Sequence, residues 1–558
     1  MTMAEESSGT VNIAARLAVM AERRPDAVAV AEPLGYDRQG RRRYRQMTFR
    51  QLSDDSDRIA RGLRRLGVLP GTRLALLVRP GVDFVSLVFA LYKAGATIIL
   101  IDPGMGRKNL VRCLEAAEPE GFVAIPIAQA VRTVLRRRFP KARMNVTVGR
   151  RWFWGGATLD RFRRMPHEGP ELAPTKADDA AAVIFTTGST GPPKGVKYTH
   201  RNFDAQVEQI RDFYGIREGE IDVPGFPLFG LFNCAMGVTA VIPDMDPTRP
   251  AQVDPKKIIE AVTDWNATQS FGSPAIWNRV GRYCVETGAK LPTLRRVLSA
   301  GAPVPAHVLR RMKACIHPEG DIHTPYGATE SLPVASIAAS EILSETAAKT
   351  DRGAGVCVGR RFSEIEWRIV CITDGPIPTL QDARVLPAGE IGELIVSGPV
   401  VTRRYVTRTE ANSLAKIADG DRIWHRMGDV GYLDDRDRFW FCGRMAHRVQ
   451  TAAGPKFTVP CEAIVNCHAD IYRSALVGVG EPDCQRPVII VEPHSEKFPG
   501  DSAARGRLLA EIRELAAANP LTADIDTFLI HPSFPVDIRH NAKIFREKLA
   551  VWAAEQLA

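Results

Sequence analysis

Residues 181–195 read AAVIFTTGSTGPPKG. An apolar run, Ala181 to Phe185, passes directly into glycines and hydroxyls, and Pro192-Pro193 stiffens the exit before Lys194. A loop of this composition after a buried strand aims backbone N–H groups and hydroxyls at phosphate oxygens, and the lysine adds a point charge. Read alone, the stretch is equally a flexible surface loop. It is not a Walker A loop, which needs Gly-Lys-Ser/Thr opening a helix. Here Pro193 precedes Lys194 and Gly195 follows it, and prolines remove the backbone donors that such a nest requires.

The surrounding text alternates between two periods. MTFRQLSDDSDRIARGLRRLG spaces Leu52, Ile59, Leu63 and Leu66 as a helix does, TRLALLVRP reads as a short strand, VDFVSLVFALYKAG as a helix and ATIILIDP as a second strand. The rhythm returns at VDPKKIIEAVTDWNATQSFGSP and LPTLRRVLSAGAPV. Helices alternating with buried strands predict an α/β fold with largely parallel sheet. From about residue 354 the text becomes strand-rich, in AGVCVGRRFSEIEWRIV, GEIGELIVSGP and GYLDDRDRFWFCGR. Beyond Arg444 it becomes a short α+β unit: SALVGVGEPDCQRPVIIVEP as paired strands, AARGRLLAEIRELAAAN as an amphipathic helix. A boundary is expected near Gly443-Arg444, dividing the chain into 1–442 and 443–558.

Length and composition bound the rest. A chain of 558 residues, 45% hydrophobic and 25% charged, suits a globular protein with one large domain and a smaller one. The start, MTMAEESSGT, lacks the basic residues and apolar run of a signal peptide, and the most apolar run carries Lys93 and Gly95. Both point to the cytoplasm. Ten cysteines include no C-x-x-C pair, and Cys461, Cys467 and His468 fit no structural zinc spacing; buried thiols are the expectation. The net charge of +10 is local. Arg132 to Arg164 holds ten Arg and one Lys against Asp160, and the remainder balances at 63 basic and 63 acidic residues. The chain as a whole is therefore no nucleic-acid binder.

TTGSTGPPKG resembles the phosphate loop of the adenylate-forming superfamily of acyl-CoA synthetases, luciferases and peptide-synthetase adenylation domains. Further motifs follow in that family's order: SAGAP at Ser299–Pro303, YGATE at Tyr326–Glu330, RMGDVGYLDD around Asp429, FCGR ending at Arg444, and PVDIRHNAKIFREKL around Lys543. The resemblance covers roughly residues 10 to 550. It implies a large N-terminal domain of parallel-sheet subdomains and a β-rich subdomain, with a small mobile C-terminal lid carrying the catalytic lysine. It further implies that Thr186, Thr187, Gly188, Ser189, Thr190, Gly191 and Lys194 grip the β,γ-phosphates of ATP. Gly301, Ala302 and Pro303 would lie along the adenine, Tyr326 would stack on it beside Gly327, and Asp429 and Arg444 would take the ribose. Thr329 would contact the α-phosphate, Glu330 would ligate Mg²⁺, and Lys543 would steady the charge that builds on phosphorus. The chemistry implied is conversion of a carboxylate to an acyl adenylate.

The acid is expected to be apolar and long. PGFPLFGLFNCAMG occupies the acyl-pocket region and supplies Phe226, Phe229, Phe232 and Met236, with no Asp between Phe226 and Gly237 to hold an amino acid's ammonium. Three positions depart from the thiol-using relatives. Ala446 stands where Asp or Lys is usual, VQTAAGPKFTVPCEAIV replaces the usual hinge text, and Ala542 precedes Lys543 in place of Gly. DIRHNAKIFREKL is similar to the olefin-biosynthesis β-lactone synthetases (OleC type). In these, a 2-alkyl-3-hydroxyalkanoic acid is activated and its own hydroxyl closes a β-lactone, the tethered nucleophile replacing a bound thiol. His540 is a candidate base or orienting group beside Lys543, or a structural histidine. The alternatives are a fatty acyl-CoA or acyl-ACP ligase, and a binding module that kept only the ATP fold. The basic segment, with RRRFPKAR and GRRWFWGG, reads as a solvated face, as contact with lipid or neighbouring olefin-pathway enzymes, or as a base-stacking surface.

Overall fold

The computed structural model describes residues 10–186, 192–226, 228–536 and 544–558. Two seven-stranded sheets and one eight-stranded sheet carry the larger part of the chain. In the first sheet Ala157–Thr158, Met144–Thr147, Gly121–Ala124, Arg73–Leu77, Thr97–Leu100 and Ala180–Phe185 run in that spatial order, all parallel. Gly195–Thr199 closes the edge antiparallel to Ala180–Phe185. The second sheet has Asp321–His323, Arg296–Ser299, Gln269–Gly272, Ile221–Pro224, Thr239–Val241 and Val28–Tyr36 in parallel. Arg42–Thr48 folds back against Val28–Tyr36. The third sheet is antiparallel and includes Tyr326–Ala328, Gly392–Ser397, Arg422–Leu433 and Arg438–Arg444.

The alternating text therefore forms the parallel sheets it predicts. Helices Phe49–Arg65 and Val82–Lys93 pack together between the first two sheets' strands, with Leu52, Ile59, Leu63, Leu87 and Phe89 buried in the main core. Thr48 starts the first of them with a reciprocal cap: its side chain accepts from Gln51 N–H while the Gln51 side chain accepts from its own N–H. A buried Lys93 is held by Asp57 at 2.7 Å and by the Ser53 carbonyl at 3.0 Å, so the charge inside the apolar run is neutralised in place.

After Arg444 the chain builds a sheet of its own from Ile471–Val479, Arg486–Pro493 and Thr527–Ile530. Helix Ser502–Ala517 covers one face through Leu508 and Ile512, and helix Arg546–Leu557 covers the other through Leu549 and Ala553. Contacts back to the larger part include Arg448 to Asp374, Asn519 Nδ2 donating to the Arg352 carbonyl at 3.3 Å, and the Leu521 and Ile464 side chains beside Gly353. The ten cysteines are unpaired and seven are buried. Cys461 and Cys467 turn their sulfurs to the carbonyls of Leu521 and Asp351, and His468 pairs with Glu511 at 3.1 Å, so the three do not meet as a metal site. No helix among the described residues is long and apolar enough to cross a membrane.

Candidate active site

The phosphate-loop text is the connection of an antiparallel hairpin. Phe185 pairs with Gly195, Thr186 N–H donates to the Lys194 carbonyl at 3.0 Å, and Lys194 N–H donates to Thr186 Oγ1 at 3.1 Å. The loop's base is thus closed by its own first and last residues. Thr187, Gly188, Ser189, Thr190 and Gly191 lie outside the described residues. A strand, not a helix, follows Lys194, which agrees with the reading that this is no Walker A loop.

SAGAP follows directly on strand Arg296–Ser299, at the carboxyl end of the second sheet. Gly301 has φ +96°, a left-handed conformation in which a side chain would be strained, and this turns the chain before Ala302 and Pro303. Tyr326 and Gly327 sit on the short strand Tyr326–Ala328 at the edge of the third sheet. Asp429 and Arg444 are direct cross-strand partners in that sheet, and their side chains form an ion pair of 2.8 Å. Tyr326 Oη donates to the other oxygen of Asp429. Burial first, and then the Asp429 carboxylate, hold the Tyr326 phenol protonated. The Asp429 charge in turn raises the Arg444 guanidinium. Tyr326 therefore meets Asp429, 103 positions on, and Arg444 as one polar group.

Thr329 and Glu330 are held by residues that no motif announced. Tyr198 Oη donates to the Thr329 carbonyl at 2.7 Å. Thr402 donates to the Glu330 carbonyl from both its N–H and its Oγ1, each at 2.9 Å. The Glu330 carboxylate accepts from Tyr405 Oη at 2.6 Å. The Tyr405 ring also meets two cations: Lys194 Nζ stands 4.9 Å from its centre and Lys416 Nζ 5.9 Å. Lys416 also donates to the Thr402 carbonyl. Burial pulls its ammonium down to about 7, with Glu330 opposing. His425 is buried beside it and kept neutral, first by burial and then by Lys416, with Lys194 and Arg444 adding to the effect. Lys194, Lys416 and Arg444 thus converge on one region that offers two carboxylates, Glu330 and Asp429. Such a field suits a polyanion with a divalent cation. The donor set fits Mg²⁺ through the Glu330 carboxylate, a hard oxygen ligand.

The expected acyl-pocket residues differ in exposure. Phe226 is 46% exposed and packs edge-on to Phe229 at 6.4 Å. Phe229 stacks on Phe271 at 3.7 Å and meets Phe232 at 5.7 Å. Phe232 continues to Phe203 at 6.2 Å, and Phe203 to Tyr198 at 5.1 Å. An aromatic line therefore runs from the surface at Phe226 to the hydroxyl that holds Thr329. Phe271, on strand Gln269–Gly272, was not foreseen; its signal was only an aromatic at the end of a predicted strand. Met236 caps the carboxyl end of helix Phe229–Ala235, is buried in the same core as Phe232, and borders a groove with Val19 and Met20. Asp222 stands four residues before Phe226. It is buried and accepts from Asn233 Nδ2 at 2.6 Å, and burial pushes its carboxyl up to about 7, which makes it a poor holder of an ammonium group.

Lys543 and His540 lie outside the described residues. The residues flanking them are tied together. Val536 and Ile544 form an antiparallel bridge, Phe545 N–H donates to the Pro535 carbonyl at 2.9 Å, and Arg546 pairs with the buried Glu462 at 2.8 Å.

Residues 17–406 match the sequence pattern of AMP-binding enzymes, well over half of the chain. The chain belongs to the AMP-binding enzyme family. Within it, this AMP-binding enzyme is 48% identical over 553 residues to an olefin β-lactone synthetase of Xanthomonas campestris pv. campestris, covering 98% of both chains. It is 47% identical over 560 residues to an olefin β-lactone synthetase of Stenotrophomonas maltophilia, again with 98% of each covered. A long-chain fatty acid–CoA ligase of Thermus thermophilus is 25% identical over 81% of each chain. Among solved structures, the amide bond synthetase McbA of Marinactinospora thermotolerans superposes with a TM-score of 0.76 at 21% identity, over 97% of this chain and 99% of that one. ATP-bound MatB of Rhodopseudomonas palustris does so with a TM-score of 0.76 at 19% identity, over 98% and 100%. The fold is that of adenylate-forming enzymes.

Proposed function

We propose that this enzyme activates a long-chain 2-alkyl-3-hydroxyalkanoic acid with ATP and closes it to a β-lactone, releasing pyrophosphate and AMP. The observation that carries this reading is the likeness, at 47% and 48% identity over 98% of each chain, to two olefin β-lactone synthetases. Thiol-using ligases share the fold at much lower identity. The departures at Ala446 and Ala542 support the same choice.

In the first step a carboxylate oxygen of the acid attacks the α-phosphorus, the bond from that phosphorus to the α,β-bridging oxygen breaks, and pyrophosphate leaves with that oxygen. Charge builds on the α-phosphoryl oxygens, so fixed cations and donors there lower the barrier. Lys543 and Thr329 fill that role, and Lys194 with the hydroxyls of Thr186–Thr190 holds the pyrophosphate. A Mg²⁺ ion on Glu330 would neutralise phosphate charge when bound. Tyr326 stacks on adenine along Gly301–Pro303 beside Gly327, and Asp429 with Arg444 receives the ribose hydroxyls. Asp429 would exchange its bond from Tyr326 for the ribose hydroxyls.

In the second step the 3-hydroxyl oxygen attacks the acyl carbon and the bond to AMP breaks. The hydroxyl proton leaves with a base, for which His540 is placed in the sequence beside Lys543. No thiol is needed, because the nucleophile is tethered to the carbonyl it attacks. Phe226, Phe229 and Phe232, extended by Phe271, border the acyl chain. Residues 443–558 act as the lid that brings Lys543 to the site, closing over 1–442. The cytoplasm is the compartment this reading assigns.

The test is incubation with ATP, Mg²⁺ and a synthetic 2-alkyl-3-hydroxy acid, with and without coenzyme A, and product identification by NMR. A β-lactone with AMP in both arms supports the proposal. A thioester formed only with coenzyme A restores the acyl-CoA ligase.

A further inference from the structure

The basic segment lies on the outer edge of the first sheet. Strands Gly121–Ala124, Met144–Thr147 and Ala157–Thr158 are parallel neighbours there, so their carboxyl ends share one rim. Helix Pro126–Val134 leaves that rim after the first strand, and the loop 148–156 leaves it after the second. The two are adjacent: a Cβ on Gly149 would stand 3.9 Å from Pro126 Cγ.

Two buried side chains aim this surface outward. Gln129 is fully buried, and its Nε2 donates to the carbonyls of Phe122 at 3.1 Å and Val146 at 2.9 Å. That sets the rotation of the helix and leaves Ile127, Val131 and Val134 at helical spacing on the outside, 66%, 49% and 79% exposed. Trp154 is buried and donates from Nε1 to Thr147 Oγ1 at 2.9 Å. Its neighbours Trp152 and Phe153 then project, 54% and 77% exposed, with rings 5.3 and 5.1 Å from the Trp154 ring. Some of the segment's arginines are paired and others are not. Arg138 pairs with Glu115 and Arg163 with Asp55. Arg136, Arg137, Arg150 and Arg151 are exposed and form no ion pair among the described residues.

We propose that this face seats the protein on an anionic lipid bilayer, with Trp152, Phe153 and the Ile127–Val131–Val134 stripe entering the headgroup layer and the free arginines meeting lipid phosphates. Apolar projections ringed by unpaired arginines match the interface between acyl chains and anionic headgroups in both respects. Nucleic acid would use the charge and the rings but has no place for three exposed aliphatic side chains. An acidic protein partner would use the charge, and the experiment separates it from lipid. The inference rests on the surface alone, and its failure leaves acid activation untouched.

The full chain is floated with vesicles of phosphatidylcholine alone and of phosphatidylcholine mixed with phosphatidylglycerol, at low and high salt. Binding to the mixed vesicles, weakened by salt and absent on phosphatidylcholine, is expected. Arg136→Glu/Arg137→Glu should lower binding about tenfold or more, each arginine contributing through the surface potential. Trp152→Ser/Phe153→Ser should lower it at any salt, because apolar insertion is not screened. Both variants should release pyrophosphate at the parental rate in vesicle-free buffer, which shows that they are folded. Equal binding to the two vesicle types, no binding to either, or retention on polyglutamate with none on mixed vesicles would each overturn the proposal.

Discussion

Tyr405 stands between Glu330 and Lys194, the two charges to which the proposed first step gives a role. Its hydroxyl donates to Glu330 and its ring faces Lys194. Tyr405→Phe keeps the ring and removes the donor, leaving one carboxylate oxygen without its partner. Loss of a hydrogen bond to a charged group is about 1.5–3 kcal/mol, so adenylation should slow about tenfold to a hundredfold. Pyrophosphate release measures it, and an unchanged rate would remove Tyr405 from the site. Lys543→Ala should cost at least about a hundredfold in kcat with ATP affinity nearly kept, because a charge felt mainly in the transition state does not strengthen ground-state binding. Asp222 carries a pH dependence. Burial pushes its carboxyl up to about 7, whereas the ordinary value is 3.8. The folded state keeps this proton where the unfolded chain has lost it, so the contribution to stability is full below about pH 4 and is lost as pH rises through about 7. Asp222→Asn, neutral throughout, should gain thermal stability on the parent as pH rises from about 5 to about 8. A constant difference between the two melting temperatures over that interval would contradict the assignment.

Elements carry the site by their ends. The hairpin Ala180–Phe185/Gly195–Thr199 was legible as a strand entering a glycine-rich loop, because apolar period and turn chemistry are local properties of adjacent residues. The strand Val28–Tyr36 with its partner Arg42–Thr48 was not legible, since VAVAEPLGY contains a proline and RRYRQMT carries three arginines. Those charges are tolerated there because Arg42 finds Glu260 at 2.8 Å and Arg45 finds Asp83 at 2.8 Å, partners set by packing. The junction after strand Arg438–Arg444 gives a prediction at this scale. Gly443 has φ +138°, and a Cβ there would stand 2.5 Å from Thr458 Oγ1, on helix Thr458–Val465. Gly443→Ala is strained in backbone and in space, and should lose about 1–3 kcal/mol of stability in urea unfolding. A variant as stable as the parent would show that this junction yields freely.

The whole molecule decides what becomes of the activated acid. If the 3-hydroxyl is the nucleophile, a 3-deoxy analogue keeps the carboxylate of the first step and lacks the reactant of the second. Pyrophosphate should then appear in an amount close to that of the enzyme, with the acyl adenylate retained; sustained turnover that needs coenzyme A would refute lactone closure. At this scale the family and its order of motifs were readable from the chain alone, since TTGSTGPPKG, SAGAP and YGATE are short runs whose backbone and side-chain chemistry is carried by neighbouring residues. Tyr326, Asp429 and Arg444, each from one of those motifs, meet in the folded chain. Tyr405, Lys416 and His425 bear no such mark. They matter because the third sheet and the segment after Val401 bring them beneath Glu330, 75 residues away in the case of Tyr405. Sequence determines which strands, loops and motif groups exist, because conformation and periodicity are local. Tertiary structure alone decides which charges share a low-dielectric space, because burial and the field at a point are summed over residues remote along the chain.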